Sequence, residues 1–206
     1  VLDKTDEQKE RRTRIEKIAE RTKKKHGITV RPVNFKKFDE EIKHIMYIYE
    51  HAWEKNWGFI PITEHEFQDV AVGMKALLKP KPGLASIAFV NDEPAGFIVN
   101  LPDFYQFTRR EKSILGNSDI VRLLRYKFKE KKLSRVRLLL FGITEKYRKI
   151  GLDSILFLDS FAYAQPIGIE ECEISWLLET NNLVISHGVA MDAREYRKWR
   201  IFDIKI

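Results

Sequence analysis

The sequence predicts a mixed α/β domain on a central mixed sheet, preceded by a charged helix. Three observations predict it. Residues 136–143 are almost wholly apolar, as a central strand covered on both faces is. Directly after them, the compact polar stretch 145–150 gives way at Gly151 to a helical period of Leu152, Ile155, Leu156 and Leu158. Around this strand, turn and helix, periodicity orders the remaining segments as β-α-α-β-β, a basic insertion, then β-α-β-α-β. That order is antiparallel early and has crossover units later.

In chain order, residues 5–25 form a very polar helix whose apolar stripe is Ile15, Ile18 and Ala19, and Gly27 stops it. Such a stripe carries no core of its own. Residues 1–27 are therefore expected to act as a linker to a further N-terminal part, or as a helix docked on something absent from this chain. A short strand follows over 28–33. Phe38, Ile42, Ile45, Met46, Ile48, Tyr49 and Trp53 recur at helical spacing over 37–55. Thr63-Glu64-His65-Glu66 is a capping box opening a second helix to about Leu78. Strands over 85–90 and 95–100 flank Asn91-Asp92-Glu93-Pro94 as a hairpin. The insertion spans 108–134, with a helix over 118–131. The helix after the turn runs to near Gly168; then come a strand over 171–178, a helix over 181–193 and a final strand over 196–206.

Of the 206 residues, 44% are hydrophobic and 33% charged, which fits a soluble globular chain, and no apolar run is long enough to span a bilayer. The first residues carry no secretory pattern. The single Cys172 excludes a disulfide framework and suits a reducing cytoplasm, and no Cys/His set has zinc spacing, so no metal is expected. The net charge is +7, and residues 108–137 alone hold 11 Lys and Arg against 3 Asp and Glu, or +8. A basic segment can meet nucleic acid, an anionic surface or a phosphorylated small molecule, or be a solvated connection. Nucleic acid is disfavoured, because aromatic residues interleave the basic ones only at Tyr105, Phe107, Tyr126 and Phe128.

A strand turning into a helix aims free N–H groups and the positive dipole end out of the turn, which makes an anion site. Here the turn is Arg148-Lys149-Ile150-Gly151-Leu152-Asp153. With the element order over 28–206, it resembles the GNAT superfamily of acyl-CoA-dependent N-acyltransferases, whose signature there is Arg/Gln-x-x-Gly-x-Gly/Ala. Arg148 and Gly151 match, and Asp153 departs. Residues 56–63, Leu101-Pro102-Asp103 and 175–181 further resemble a branch of larger bacterial GNAT-like proteins of unassigned substrate, which carry additional sequence before this domain.

The resemblance implies that Arg148, Lys149, Ile150, Gly151, Leu152 and Asp153 hold the pyrophosphate of acetyl-CoA or another acyl-CoA. It also implies that pantetheine pairs with the backbone of Phe141, Gly142 and Ile143. From the residues themselves, Gly151 permits close backbone approach, while a carboxylate at Asp153 repels a phosphate or competes for the same N–H groups. Gly142 suits a bulge, a ligand approach or tight sheet–helix packing.

Acyl transfer to an amine needs a base, a polarised carbonyl and a proton for the leaving thiolate. Glu173 is the base candidate; a carboxylate in an apolar strand is either functional or an edge residue facing water. Alternation sets it opposite Cys172 and Ile174. Many GNAT enzymes place a Tyr in the last helix as the acid; here that region is His187-Gly188-Val189, and His187 stands in its place. Trp53, Asn56, Trp57 and Phe59, with Asp103, form the candidate acceptor site, or the aromatics simply fill core under a loop. The reading is direct acyl transfer from CoA to a small-molecule amine by a cytoplasmic chain, alone or as a homodimer. The alternative is a non-catalytic module of the same fold whose basic insertion contacts a partner, nucleic acid or an anionic surface.

Overall fold

Strands 85–90 and 93–102 are the most buried part of the chain, because nearly every residue there is apolar or small and both sheet faces are covered. The computed structural model describes residues 5–55, 59–103, 106, 133–174, 177–191 and 193–200. Its elements are α1 (Asp6–His26), β1 (Ile28–Pro32), α2 (Phe38–Trp53), α3 (Glu64–Leu78), β2 (Ala85–Val90), β3 (Glu93–Pro102), β4 (Arg135–Ile143), α4 (Leu152–Ala164), β5 (Glu171–Ile174) and α5 (Asn182–Ala190). The sheet order is β1-β2-β3-β4-β5; the first three pairings are antiparallel and β4–β5 is parallel. The mixed α/β class and the mixed sheet are as expected.

The β2–β3 loop is tighter than the sequence implied. Val90 pairs with Glu93, and Asn91 and Asp92 turn the chain with φ of 49° and 66°. Both are residue types that tolerate the left-handed region a two-residue hairpin requires. Helix α3 starts at the expected box: Thr63 Oγ1 accepts from Glu66 N at 3.3 Å, and Thr63 N donates to Glu66 Oε2 at 2.9 Å.

Helices α2 and α3 cover one sheet face, where Ile48, Leu78, Ile87, Phe97 and Val99 form one core. Helices α1 and α4 cover the other, with Ala19, Ile98, Leu138, Leu152, Ile155 and Leu156. Of the thin stripe of α1, Ala19 docks on this domain itself, while Ile18 is exposed. Arg12 also stacks on Phe161 of α4 at 4.8 Å and donates to Gln165 Oε1 at 3.3 Å.

Several boundaries differ, three of them with consequences below. Helix α4 ends at Ala164 rather than near Gly168, which instead takes a left-handed φ of 83° in the turn beyond. Strand β5 stops at Ile174, and Leu177 and Leu178 are outside any strand. The final strand expected over 196–206 is not formed in its described part, 193–200. Arg194, Glu195, Arg197, Lys198 and Arg200 leave no period-two apolar face there, and Tyr196 and Trp199 are exposed. Residues 201–206 lie outside the described residues, as do 107–132, the bulk of the basic insertion. Among the described residues no helix is long and apolar enough to cross a membrane.

Candidate functional site

Strands β4 and β5 form a fork. They pair only from Arg135–Glu171 to Leu138–Ile174, while β4 runs on to Ile143. At the branch point the β3–β4 register shifts: Asn100 lies opposite Leu138 and Val99 opposite Leu140, leaving Leu139 as the extra residue. A bulge takes its residue out of the ladder and bends the strand. Leu139 is 39% exposed, unusual for a central strand.

The closed end of the fork is clamped by charge. Arg137 Nη2 donates to Glu173 Oε1 at 3.0 Å and Arg137 Nε to Oε2 at 3.3 Å. Arg135 Nε donates to Glu171 Oε2 at 3.0 Å and Arg135 Nη1 reaches Asp103 Oδ2 at 3.5 Å. Two-pronged Arg–carboxylate pairs fix geometry as well as charge. Tyr196 hydrogen-bonds to Glu173, and this contact holds the phenol's pKa above its ordinary value. As alternation required, Glu173 faces away from Cys172 and Ile174. Ile174 joins the α4-side core, and the Cys172 sulfur points at the buried Asn100 Oδ1, 3.8 Å away. Cys172 is exposed as an edge-strand residue, but its sulfur is turned inward, and desolvation pushes the thiol up to about 11.

At the open end, alternation turns the main-chain groups of Phe141 and Ile143 away from β3. Side chains meet both carbonyls. Trp53 Nε1 donates to Phe141 O at 3.3 Å, and Arg148 Nε donates to Ile143 O at 3.3 Å. Arg148 Nη2 also donates to Ala52 O, tying the end of α2 to β4. Arg148 thus braces two elements, and both it and Lys149 are exposed. Gly142 is explained by packing: a Cβ there would meet Phe97 at 3.0 Å, Ala52 at 3.2 Å and Trp53 at 3.5 Å. The bulge lies three residues earlier, at Leu139.

Beyond β4, Glu145–Tyr147 makes one 3₁₀ turn and Gly151 begins α4 with a left-handed φ of 78°. Gly151 is exposed, with nothing within 4 Å of where a Cβ would stand, and as N-cap it offers no side chain to the first-turn N–H groups. Asp153 is buried at 8% exposure, so its carboxylate is not set facing the open space outside the turn. These features fit an anion held by main-chain donors and a helix dipole. The turn is braced from behind. Lys146 Nζ lies 2.6 Å and Tyr147 Oη 2.7 Å from Glu93 Oε2, which holds the Glu93 carboxyl below its usual range.

The acceptor residues separate. Trp53 and Phe59 gather around Tyr49, with ring centroids 5.0 and 5.7 Å away. Asp103 is elsewhere: it is buried beside Arg135, at the start of β4. Trp53 meets Phe141 six residues along that strand, about 20 Å at the usual rise. Asn56 and Trp57 lie outside the described residues, and His187 falls within α5. Sequence reasoning missed Arg137 and Tyr196. The signal for Arg137 was present, since Arg135 and Arg137 alternate on one strand as Glu171 and Glu173 do on another. Among the described residues no group of His, Cys, Asp and Glu could hold a metal ion.

No family model matches the chain. The Escherichia coli K12 protein YghO is 29% identical over 199 residues, covering 93% of this chain and 49% of that protein. The bacterial ceramide synthase of Caulobacter vibrioides is 26% identical over 196 residues, covering 92% and 50%. The chain therefore spans about half the length of the curated relatives it matches. Among solved structures, AAC(6')-Iy in complex with the bisubstrate analogue CoA-S-monomethyl-acetylneamine aligns with a TM-score of 0.53. That alignment covers 87% of this chain and 99% of the other at 12% identity. The likeness is one of fold, and the fold is that of the GNAT acetyltransferases.

Proposed function

We propose that this GNAT-fold chain is an acyltransferase domain that moves an acyl group directly from an acyl-CoA to an amine. The observation that carries the reading is the fork of β4 and β5 opening beside the Gly151 turn. One end offers a strand edge with no strand partner for an extended pantetheine arm; the other offers main-chain donors for a pyrophosphate. Lys149 adds charge at the turn. The similarity to a protein named a ceramide synthase supports an amide product, since a ceramide is an N-acyl compound.

In the proposed reaction, the amine nitrogen attacks the thioester carbon as Glu173 takes the amine proton. A main-chain N–H at the Leu139 bulge is the proposed donor that polarises the carbonyl oxygen, where negative charge develops. The C–S bond then breaks. Tyr196, hydrogen-bonded to Glu173, gives its proton to the leaving thiolate and regains one from Glu173, so protons balance over the cycle. The reading assigns that role to Tyr196, which hydrogen-bonds to Glu173. Trp53 and Arg148 hold the edge carbonyls that pantetheine would approach, so the bound thioester lies alongside them or displaces them.

The test is CoA release, followed by thiol titration, with acetyl-, octanoyl- and hexadecanoyl-CoA against a panel of primary amines. Amine-dependent release that Glu173→Gln lowers on the order of a hundredfold, with thioester affinity unchanged, is the expected result. Release that this variant leaves intact would remove Glu173 from the mechanism.

A further inference from the structure

We infer that Arg137 is a positioning residue: it fixes the plane of the Glu173 carboxylate, so that the base meets the amine in one orientation. This rests on the acyltransferase reading and adds a residue to its machinery. A glutamate does not hold its own carboxylate plane, because the last torsion of the side chain is broad. A guanidinium holds it, since its donors form a rigid planar fork. Here the fork spans both oxygens. Arg137 Nη2 lies 3.0 Å from Glu173 Oε1 and 3.2 Å from Oε2, and Nε lies 3.3 Å from Oε2. Tyr196 meets the same carboxylate from the segment after α5. Glu173 still keeps 14% of its side chain exposed, which leaves a side open to a substrate. A reacting group misplaced by about 1 Å can cost on the order of a hundredfold in rate, so a base that cannot orient itself depends on the residue that orients it.

The neighbouring ion pair separates this role from strand clamping. Arg135 lies opposite Glu171 as Arg137 lies opposite Glu173, two residues away on the same two strands. Arg135 contacts Glu171 at 2.9 Å and Asp103 at 3.5 Å, so it ties β5 to the residue just past β3 and already closes that end of the fork. The Arg137 pair comes later, beside Leu138–Ile174, where the pairing of β4 with β5 ends. Its carboxylate is the more enclosed of the two, since Glu171 is 48% exposed. It is also the pair that carries the phenol. The Glu173 hydrogen bond raises the Tyr196 pKa, while the Arg197 and Arg137 charges lower it.

Arg137→Lys and Arg135→Lys each keep the charge and lose the fork, so they form a matched pair. Both are checked for folding by circular dichroism and assayed with the thioester and primary amine that release CoA fastest from the wild type. Arg137→Lys should lower kcat about tenfold with the thioester KM within about twofold, and Arg135→Lys should change kcat by less than about twofold. A second readout needs no substrate. The Tyr196 phenol is titrated in the free chain by ultraviolet absorbance, as the difference between each chain and its Tyr196→Phe counterpart. In Arg137→Met the carboxylate is free to turn away from the phenol, so the phenol should titrate lower than in wild type, towards 10.0. If Arg137 supplied charge alone, its loss would move the phenol upwards instead. A phenol that rises or stays in Arg137→Met, or equal kcat losses in the two Lys variants, would overturn the inference. Absence of amine-dependent CoA release from the wild type would overturn the acyltransferase reading, and the direction of the phenol shift would still decide whether Arg137 orients Glu173.

Discussion

In the proposed site, Gly151 acts through its backbone conformation. At φ 78° any side chain is strained, although its Cβ would meet no neighbour. Gly151→Ala is expected to lower stability by about 1 kcal/mol, from the left-handed cost alone. Acyl-CoA affinity should fall alongside, because relief of that strain reorients the first-turn N–H groups; urea denaturation and calorimetry read the two effects. Cys172 makes a pH prediction. Its thiol is raised from 9.0 to about 11, so the folded chain keeps a proton that the unfolded chain loses near pH 9. The contribution is complete below pH 9 and fades as pH rises towards 11. Urea midpoints at pH 8.5 and 10.5 should show wild type losing more stability than Cys172→Ala. Tyr196 must be protonated to act as an acid, and its pKa lies above 10.0. Turnover should therefore hold to at least about pH 10, and Tyr196→Phe should reduce it on the order of a hundredfold at pH 7. A Tyr196→Phe enzyme with wild-type turnover would exclude that role.

At the scale of elements, the central question is how α2 sits on β4. Gly142 lets the helix end approach until Ala52 and Trp53 touch the strand, and Arg148 then ties the Ala52 and Ile143 carbonyls together. Gly142→Ala should cost about 1–3 kcal/mol by overpacking against Phe97 and Ala52, measured by chemical denaturation. The sequence states much of this level. The apolar run of β4, the Thr63 box and the change of period at Gly151 are local signals, and each element formed where they lie. The bulge at Leu139 left no trace, because Leu138-Leu139-Leu140 reads as an unbroken strand and only the partner's register reveals the extra residue. Arg148 looked like an anion ligand from its place in the motif. In the structure it also binds the Ala52 and Ile143 carbonyls, far apart in the chain, and no local pattern records that. Asp103 and Trp53 looked like one site from composition, yet they meet opposite ends of β4.

The whole molecule joins a two-sided sheet to a helix, α1, whose stripe looked too thin to matter. It suffices because it adds Ala19 to a core already built by α4, with Arg12 spread over Phe161. The match to about half of each curated relative leaves room for a second region to act with this one. The central claim, that the fork and the Gly151 turn form a thioester site, belongs to this chain alone. Thermal unfolding with an acyl-CoA series tests it most directly. At a hundred times its dissociation constant, a bound thioester adds about 2.7 kcal/mol, and for a chain of this size that raises the melting temperature by roughly 5–10 °C. The account predicts a rise of that order for at least one acyl-CoA, diminished in Gly151→Ala. A melting temperature unmoved by every thioester from acetyl- to hexadecanoyl-CoA would contradict it.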